Sequence, residues 1–195
     1  MAAEARPETS DEQLIELVAG GDRGAFHALV ERYQSAVYRH LRALTPTAQD
    51  AEDVLQETLL AVFRHARTYR GDSSGRTWIY TIARNSAFRL ARRKIPLLTD
   101  RLDEQDGSFE DLGVKAGFGA ADPERLAMQA QCRDRLNAAL NALSSEDREI
   151  LILRDLDGLS GEEAAAILGI GLAAMKSRLH RARLRLSVAL RGQGA

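Results

Sequence analysis

Cysteine is almost absent from the chain, since Cys132 is the only one among 195 residues. A single thiol cannot form an internal disulfide, and it lacks the second cysteine that most thiolate metal sites need. A lone free cysteine is most often a small structural residue, so we expect Cys132 to be buried within a helix. The sequence therefore favours a cytoplasmic protein with no disulfide, no bound metal and no other cofactor.

Long apolar runs are also absent. No stretch approaches the roughly 18 consecutive apolar residues that a membrane-spanning helix requires, and the opening MAAEARP contains no apolar signal segment. Apolar residues make up 45% of the chain and are spread along it, enough for one ordinary domain or two small ones. We therefore expect a soluble protein with no membrane insertion.

Acidic residues are missing from two segments, 73–99 and 164–195, and both of these segments are rich in arginine. The stretch between them is acidic and carries Asp100, Asp103, Glu104, Asp106, Glu110 and Asp111. The formal net charge of −1 hides this segregation. Two basic segments on either side of an acidic one favour two separate contacts with nucleic acid.

Strand patterns are nearly absent, whereas apolar residues recur at helical spacing along most of the chain. The longest stripe runs from Phe26 to Leu44 and ends before Pro46, and a further helix is predicted from about Thr77 to Lys94. We therefore predict an all-α protein of two small helical domains joined by a flexible acidic linker. The predicted parts are a disordered N-terminus at 1–10, a domain at 11–95, the linker at 96–121 and a domain at 122–192.

The second domain contains the strongest local signal. Ser160 and Glu163 have the spacing of a capping box, which predicts that a helix begins there, and Gly169 allows a sharp turn after it. The next helix places Met175 and Leu179 inward and a polar, mostly basic set on its opposite side, namely Lys176, Ser177, His180, Arg181 and Arg183. Two helices joined in this way, the second basic on one face, predict a DNA-binding helix-turn-helix.

The motifs resemble those of one family, the extracytoplasmic-function (ECF) sigma factors of the sigma-70 family. LRDLDGLS at 153–160 and KSRLHRAR at 176–183 resemble its region 4 helix-turn-helix. AEDVLQET at 51–58 and TWIYTIARN at 77–85 resemble parts of its region 2. The resemblance implies a factor that binds core RNA polymerase, through the β′ clamp helices and the β subunit, and directs it to promoter DNA. It also implies control by an anti-sigma factor.

The resemblance implies roles for individual residues in the first domain. Asp53, Gln56 and Glu57 fall where the family binds the clamp helices. Asn85 falls where the family reads a flipped-out base of the −10 element, and a side-chain amide offers the donor and acceptor that this requires. Three basic residues on the same helix, expected to contact phosphates, are Arg89, Arg92 and Arg93.

In the second domain, the positions that match the family's −35 contacts are Arg154, Lys176, Ser177 and Arg181, with support along the phosphates expected from Arg178 and Arg183. The acidic linker matches the segment that passes through the RNA exit channel. Two departures stand out. The stretch Gly171 to Ala174 lacks the Ser or Thr that commonly caps the recognition helix, and Gly75 occupies a position where relatives commonly carry an aromatic residue.

Two other functions are compatible with parts of the sequence. A helix-turn-helix regulator could bind duplex operators without polymerase, but it would leave the helix at 51–58 and the segment at 77–85 without a role. An all-α enzyme has less support, because we find no nucleotide-binding glycine loop, no metal-ligand set and no Ser/His/Asp constellation. The sequence therefore predicts a protein that is not an enzyme.

Overall fold

The computed structural model describes residues 9–94 and 123–192, and in these ranges the chain forms helices and no strand. The α-helices of the described residues are α1 (Asp11–Ala19), α2 (Arg23–Leu44), α3 (Ala48–His65), α4 (Gly75–Lys94), α5 (Pro123–Asn141), α6 (Ser145–Leu151), α7 (Gly161–Leu168) and α8 (Leu172–Gly192). A short 3₁₀ turn, Ala66–Thr68, follows α3, and a π-helical turn, Ile152–Leu156, extends α6. The all-α prediction is confirmed.

Helices α1 to α4 pack around one core, which α2 crosses with its predicted apolar stripe. Leu29, Val37 and Leu41 of that stripe are buried, as are Val54 of α3 and Ile79 of α4. Side-chain caps fix where three of these helices begin, since Ser10, Asp22 and Thr47 each accept hydrogen bonds from the first turn of α1, α2 and α3. This packing leaves the polar sides of α3 and α4 facing outward.

Helices α5 to α8 form the second helical unit, and the predicted helix-turn-helix lies within it. Ser160 accepts a hydrogen bond from the Glu163 amide at 3.1 Å, while the Glu163 carboxylate accepts one from the Ser160 amide at 2.8 Å, completing the capping box. Gly169 has a φ of 66°, the left-handed conformation that ends α7. Met175, Leu179 and Ala182 of α8 are buried against the rest of the unit.

The two units pack against each other, α2 on α6 and α4 on α7. Ala43 of α2 and Ile152 of the π-helical turn are buried together at this junction. The predicted linker at 96–121 lies outside the described residues, as do residues 1–8. Within 9–94 and 123–192, no helix is long and apolar enough to cross a membrane.

The structure differs from the sequence prediction in two places. Helix α1 was not predicted, and its N-cap is Ser10, the residue before the predicted start of the first domain. The Thr9 carbonyl accepts a hydrogen bond from Arg32. Cys132 is exposed on α5, so the prediction that it is buried was wrong. A helix position alone does not bury a residue, because the solvent side of a helix also accepts small side chains.

Candidate polymerase and promoter interfaces

The outer side of α3 carries the residues predicted to bind polymerase. Asp53 and Gln56 are exposed, and Glu57 is partly exposed. Asp53 accepts a hydrogen bond from Gln49 at 3.2 Å. Leu60 continues the same face one turn later and leaves 45% of its surface exposed, and Phe63 leaves 42% exposed beside it. The face therefore combines carboxylates with apolar surface, a composition suited to a protein partner.

Sequence reasoning missed the apolar part of this face. Helical spacing in the sequence assigns Phe63 to the buried side of this helix together with Val54 and Val62, and it gives Leu60 no role. The structure buries Phe63 only in part, with its ring 5.1 Å from the ring of Phe26 in an edge-on contact. Only its exposed fraction distinguishes Phe63 from the core positions.

Helix α4 presents the predicted −10 residues to solvent. Asn85, Arg89, Arg92 and Arg93 are all exposed. Arg89 donates a hydrogen bond to Ser86 at 2.7 Å and pairs with Glu57 of α3 at 3.2 Å. The predicted DNA side of α4 therefore borders the predicted polymerase side of α3.

The start of α4 is held by α1, which explains the glycine at position 75. A Cβ added to Gly75 would lie 2.8 Å from Cβ of Asp11 and 2.9 Å from Cδ1 of Ile15, so no side chain fits there. The Gly75 amide donates a hydrogen bond to the Glu12 carboxylate at 2.8 Å, which holds the pKa of Glu12 below its ordinary value. Helix α1 thus fills the space that an aromatic residue at position 75 would need. Trp78 packs against the core with its ring 5.2 Å from that of Tyr69.

The outer side of α8 carries the predicted −35 residues. Lys176, Ser177, His180 and Arg181 are exposed together, opposite the buried Met175 and Leu179. Gly171, the residue before α8, has no side chain with which to cap the helix, as the sequence indicated. This exposed side, held in place by the capped α7 and the turn at Gly169, is a helix surface of the kind that enters a DNA major groove.

The remaining predicted −35 residues are engaged with the protein itself. Arg154 is partly buried and donates a hydrogen bond to the Leu159 carbonyl, so it supports the segment that leads into α7. Arg178 pairs with Glu146 at 3.4 Å. Arg183 makes a two-pronged contact with Asp155, at 3.1 Å and 2.5 Å. The exposed members of the predicted set are therefore Lys176, Ser177, Arg181 and, at the edge, Arg183.

No group of three or more His, Cys, Asp or Glu residues in the described ranges is arranged to hold a metal ion. Three buried ionisable residues, His40, Glu149 and Asp157, lie instead where the two units meet. Burial raises the pKa of Glu149 to about 7 and lowers that of His40 to about 3. Burial also raises the pKa of Asp157, which Arg39 and Tyr80 hydrogen-bond. No local pattern in the sequence indicates this cluster, because its members come from α2, α4, α6 and the residue after the π-helical turn.

Family models match the chain in two places, Sigma-70 region 2 over residues 29–95 and Sigma-70 region 4 over residues 133–186. The ECF RNA polymerase sigma-E factor of Salmonella typhimurium is 35% identical over 176 residues, which are 89% of this chain and 91% of that protein. The RNA polymerase sigma-H factor of Pseudomonas aeruginosa is 34% identical over 182 residues, 92% of this chain and 93% of that protein.

A solved structure agrees with these relatives. The sigma factor RpoE of Bartonella quintana, in complex with the anti-sigma factor NepR, is 30% identical, with a TM-score of 0.64 over 85% of this chain and 96% of that one. The matches cover both helical units and the motifs that carried the resemblance. The chain belongs to the extracytoplasmic-function sigma factors of the sigma-70 family.

Proposed function

We propose that this sigma factor binds core RNA polymerase through the outer side of α3 and contacts a promoter at two places, the −10 element through α4 and the −35 element through α8. The observation that carries the proposal is the joint exposure of three faces. Asp53 and Gln56 on α3, Asn85 on α4 and Lys176 on α8 all point away from the cores that fix their helices.

The chemistry of each face suits its partner. The α3 face offers carboxylates beside apolar surface, and carboxylates pair well with arginines of a protein partner. Asn85 can both donate to and accept from a base edge, while Arg89, Arg92 and Arg93 suit phosphates. On α8, Lys176 lies nearest the helix N-terminus, the end that commonly reads base edges in the major groove.

We further propose domain limits at 11–95 and 122–192, joined by the acidic segment at 96–121, and control by an anti-sigma factor. The complex of the Bartonella quintana relative with NepR supports such control. The factor acts by binding rather than by catalysis, in the cytoplasm where polymerase and promoter meet.

Fluorescence anisotropy of a labelled promoter duplex tests this function against a polymerase-independent regulator. We expect specific binding only when core polymerase is present together with the factor. Specific binding of the pure factor to a duplex, unaffected by core polymerase, would instead favour the regulator.

A further inference from the structure

Helix α4 exposes the ring of one aromatic residue, Phe88. The other large apolar side chains of this helix are covered, since Ile79 and Tyr80 are buried and Trp78 and Leu90 pack against the core. Phe88 instead leaves 40% of its surface exposed. A single exposed apolar residue is common on protein surfaces, so the surroundings of Phe88 decide what it can bind.

The surroundings of Phe88 on α4 are basic and polar. Arg84 and Arg92 lie one helical turn before and after it, and Asn85 lies three residues before it. Asn85 and Arg92 are exposed. The segment 73–99 contains no acidic residue, so α4 contributes no negative charge to this face. Phe88 is therefore an aromatic ring set among hydrogen-bonding and positively charged side chains.

Arg84 holds the ring of Phe88 in place. Its guanidinium carbon lies 4.5 Å from the centroid of the ring, within the range of a cation–π contact. Arg84 also donates through Nε to the Glu149 carboxylate at 2.9 Å, so two contacts restrain the guanidinium. The ring is thus oriented before a partner arrives, which lowers the entropy cost of binding on its exposed part.

The composition of this face favours a single strand of nucleic acid as the partner. Proteins that bind single strands combine aromatic rings, on which bases stack, with cations that contact the phosphates. In a duplex the flat faces of the bases are hidden in the stack, so only a separated strand can offer one to Phe88. A protein partner is better matched by adjoining apolar residues, as at Leu60 and Phe63 on α3.

Phe88 also has a defined place relative to Asn85. Residues three apart on a helix are separated by about 4.5 Å along its axis and by about 60° around it. Successive nucleotides of a strand are about 3.4 Å apart when their bases are stacked. When the edge of one base pairs with the Asn85 amide, the neighbouring base therefore lies within reach of the Phe88 ring.

We propose that Phe88 is a stacking platform for one base of the separated −10 strand, the neighbour of the base that Asn85 reads. Every base has a flat face, so stacking tolerates any sequence. Phe88 then contributes affinity for the separated strand, and Asn85 contributes specificity. The inference rests on the proposed function, which assigns the −10 element to α4.

Binding of a single-stranded oligonucleotide to the complex of the full chain with core polymerase tests the proposal. The oligonucleotide carries the −10 element of a promoter selected by transcription, and an abasic nucleotide replaces each base in turn. Phe88→Leu keeps an apolar side chain but removes the ring, and we expect it to weaken binding of the intact strand about tenfold. At one position, next to the one that Asn85→Ala relaxes, the abasic nucleotide is expected to cause no further loss in this variant.

Two further variants serve as controls, each shown to be folded by circular dichroism. Phe88→Tyr keeps the ring and is expected to bind the strand like the native chain. Leu17→Ala removes an apolar side chain of α1 that is 47% exposed, and it is expected to leave strand binding unchanged.

The outcomes separate this proposal from the proposed function. Losses that add at every position of the strand would overturn the stacking, and so would a Phe88→Leu variant that loses affinity for core polymerase instead of for the strand. If the native chain with core polymerase binds the strand no more tightly than core polymerase alone, the proposed function fails and the stacking fails with it.

Discussion

At the scale of single residues, exposure separates groups that can reach DNA from groups that hold the protein together. Lys176 and Arg181 lie exposed on α8, whereas Arg154, assigned to the same promoter element by its motif, donates to the Leu159 carbonyl. A motif places a residue near a site, but burial and hydrogen bonds decide what its side chain is available to do. We therefore expect unequal effects from substitutions within the predicted −35 set.

Lys176 and Arg181 are expected to make different kinds of contact. Lys176→Ala removes a base-edge contact, which costs about 1–3 kcal/mol and relaxes specificity at one −35 position. Arg181→Ala removes a phosphate contact, so it weakens binding to all sequences and lowers the slope of log K against log salt by about one. Transcription from a promoter library at two salt concentrations measures both effects. An unchanged sequence profile and salt slope for Lys176→Ala would show that α8 does not read the −35 element.

Glu149 and His40 form a buried pair whose effects on stability oppose each other. The pKa of Glu149 is raised by burial from 4.5 to about 7, so its contribution to stability is lost as pH rises through that window. The pKa of His40 is lowered by burial, then by Arg84, from 6.5 to about 3, so its contribution is lost as pH falls below 6.5. The charges of Arg84 and Arg178 lower the pKa of Glu149 and that of Glu146 raises it, but burial is the largest cause.

We expect the two losses nearly to cancel between about pH 5 and 6.5. In this range, folding adds a proton to Glu149 and removes one from His40, so the number of bound protons hardly changes. Glu149→Gln removes the titrating carboxyl group of Glu149 and leaves the titration of His40 as the uncompensated contribution. Relative to the native chain, the stability of the variant is then expected to fall with acidification by up to about 1.4 kcal/mol per pH unit. Urea unfolding of both proteins at several pH values measures the difference. Parallel curves of unfolding free energy against pH would show that Glu149 and His40 do not have opposite effects on stability.

At the scale of elements, α1 determines how α4 begins. Gly75→Ala places a Cβ 2.8 Å from Asp11 and 2.9 Å from Ile15, so α1 has to shift and the amide bond to Glu12 is weakened. We expect a loss of about 1–3 kcal/mol in unfolding free energy, the usual cost of overpacking. Gly192→Ala is the control, since its Cβ meets open space. Equal denaturation midpoints for the two variants would show that α1 does not constrain α4.

The outer side of α3 is expected to bind polymerase through its charge. Asp53→Lys with Glu57→Lys reverses two carboxylates on that side, and we expect at least a tenfold loss of affinity for core polymerase with little change in folding. Glu52→Lys makes the same kind of change about a quarter turn away on the same helix and serves as the control. A titration in which the double variant binds core as tightly as the control would remove this face from the interface.

Elements differ in how far the sequence could predict them. The helix-turn-helix was predictable because Ser160, Glu163 and Gly169 fix its beginning and its turn by local chemistry. Helix α1 also had a signal, the capping box of Ser10 and Gln13. Its buried side is only Leu14, Ile15 and Val18, too short a stripe to stand out from an ordinary apolar run.

The contact between the two units could not be predicted from the sequence. Asp157 is one acid among many, and nothing local indicates that Arg39, more than a hundred residues earlier, compensates it. Long-range pairing of this kind depends on how the domains pack, which neither helical periodicity nor capping motifs encode. The same limit hid the exposure of Phe63, because a helical stripe does not show which of its members a neighbour covers.

At the scale of the whole molecule, the proposed function assigns a polymerase-facing side to α3 and DNA-facing sides to α4 and α8, while the two units pack against each other through α2 on α6 and α4 on α7. Each face lies on a helix that is fixed by its own core, so a domain can move without disturbing the residues that it presents. Promoter recognition then becomes a sequence of partner-dependent steps. On the proposed function, core polymerase binds α3, and α4 and α8 contact the two promoter elements.

Run-off transcription on a promoter library, with core polymerase and with or without this factor, tests the central claim most directly. We expect transcripts only when both proteins are present, from templates that share two conserved elements at a fixed spacing. Asn85→Ala is expected to reduce open-complex formation and relax preference at one −10 position, while binding to core polymerase persists. Transcripts that do not depend on the factor, or an unchanged promoter profile for the Asn85 variant, would contradict the account.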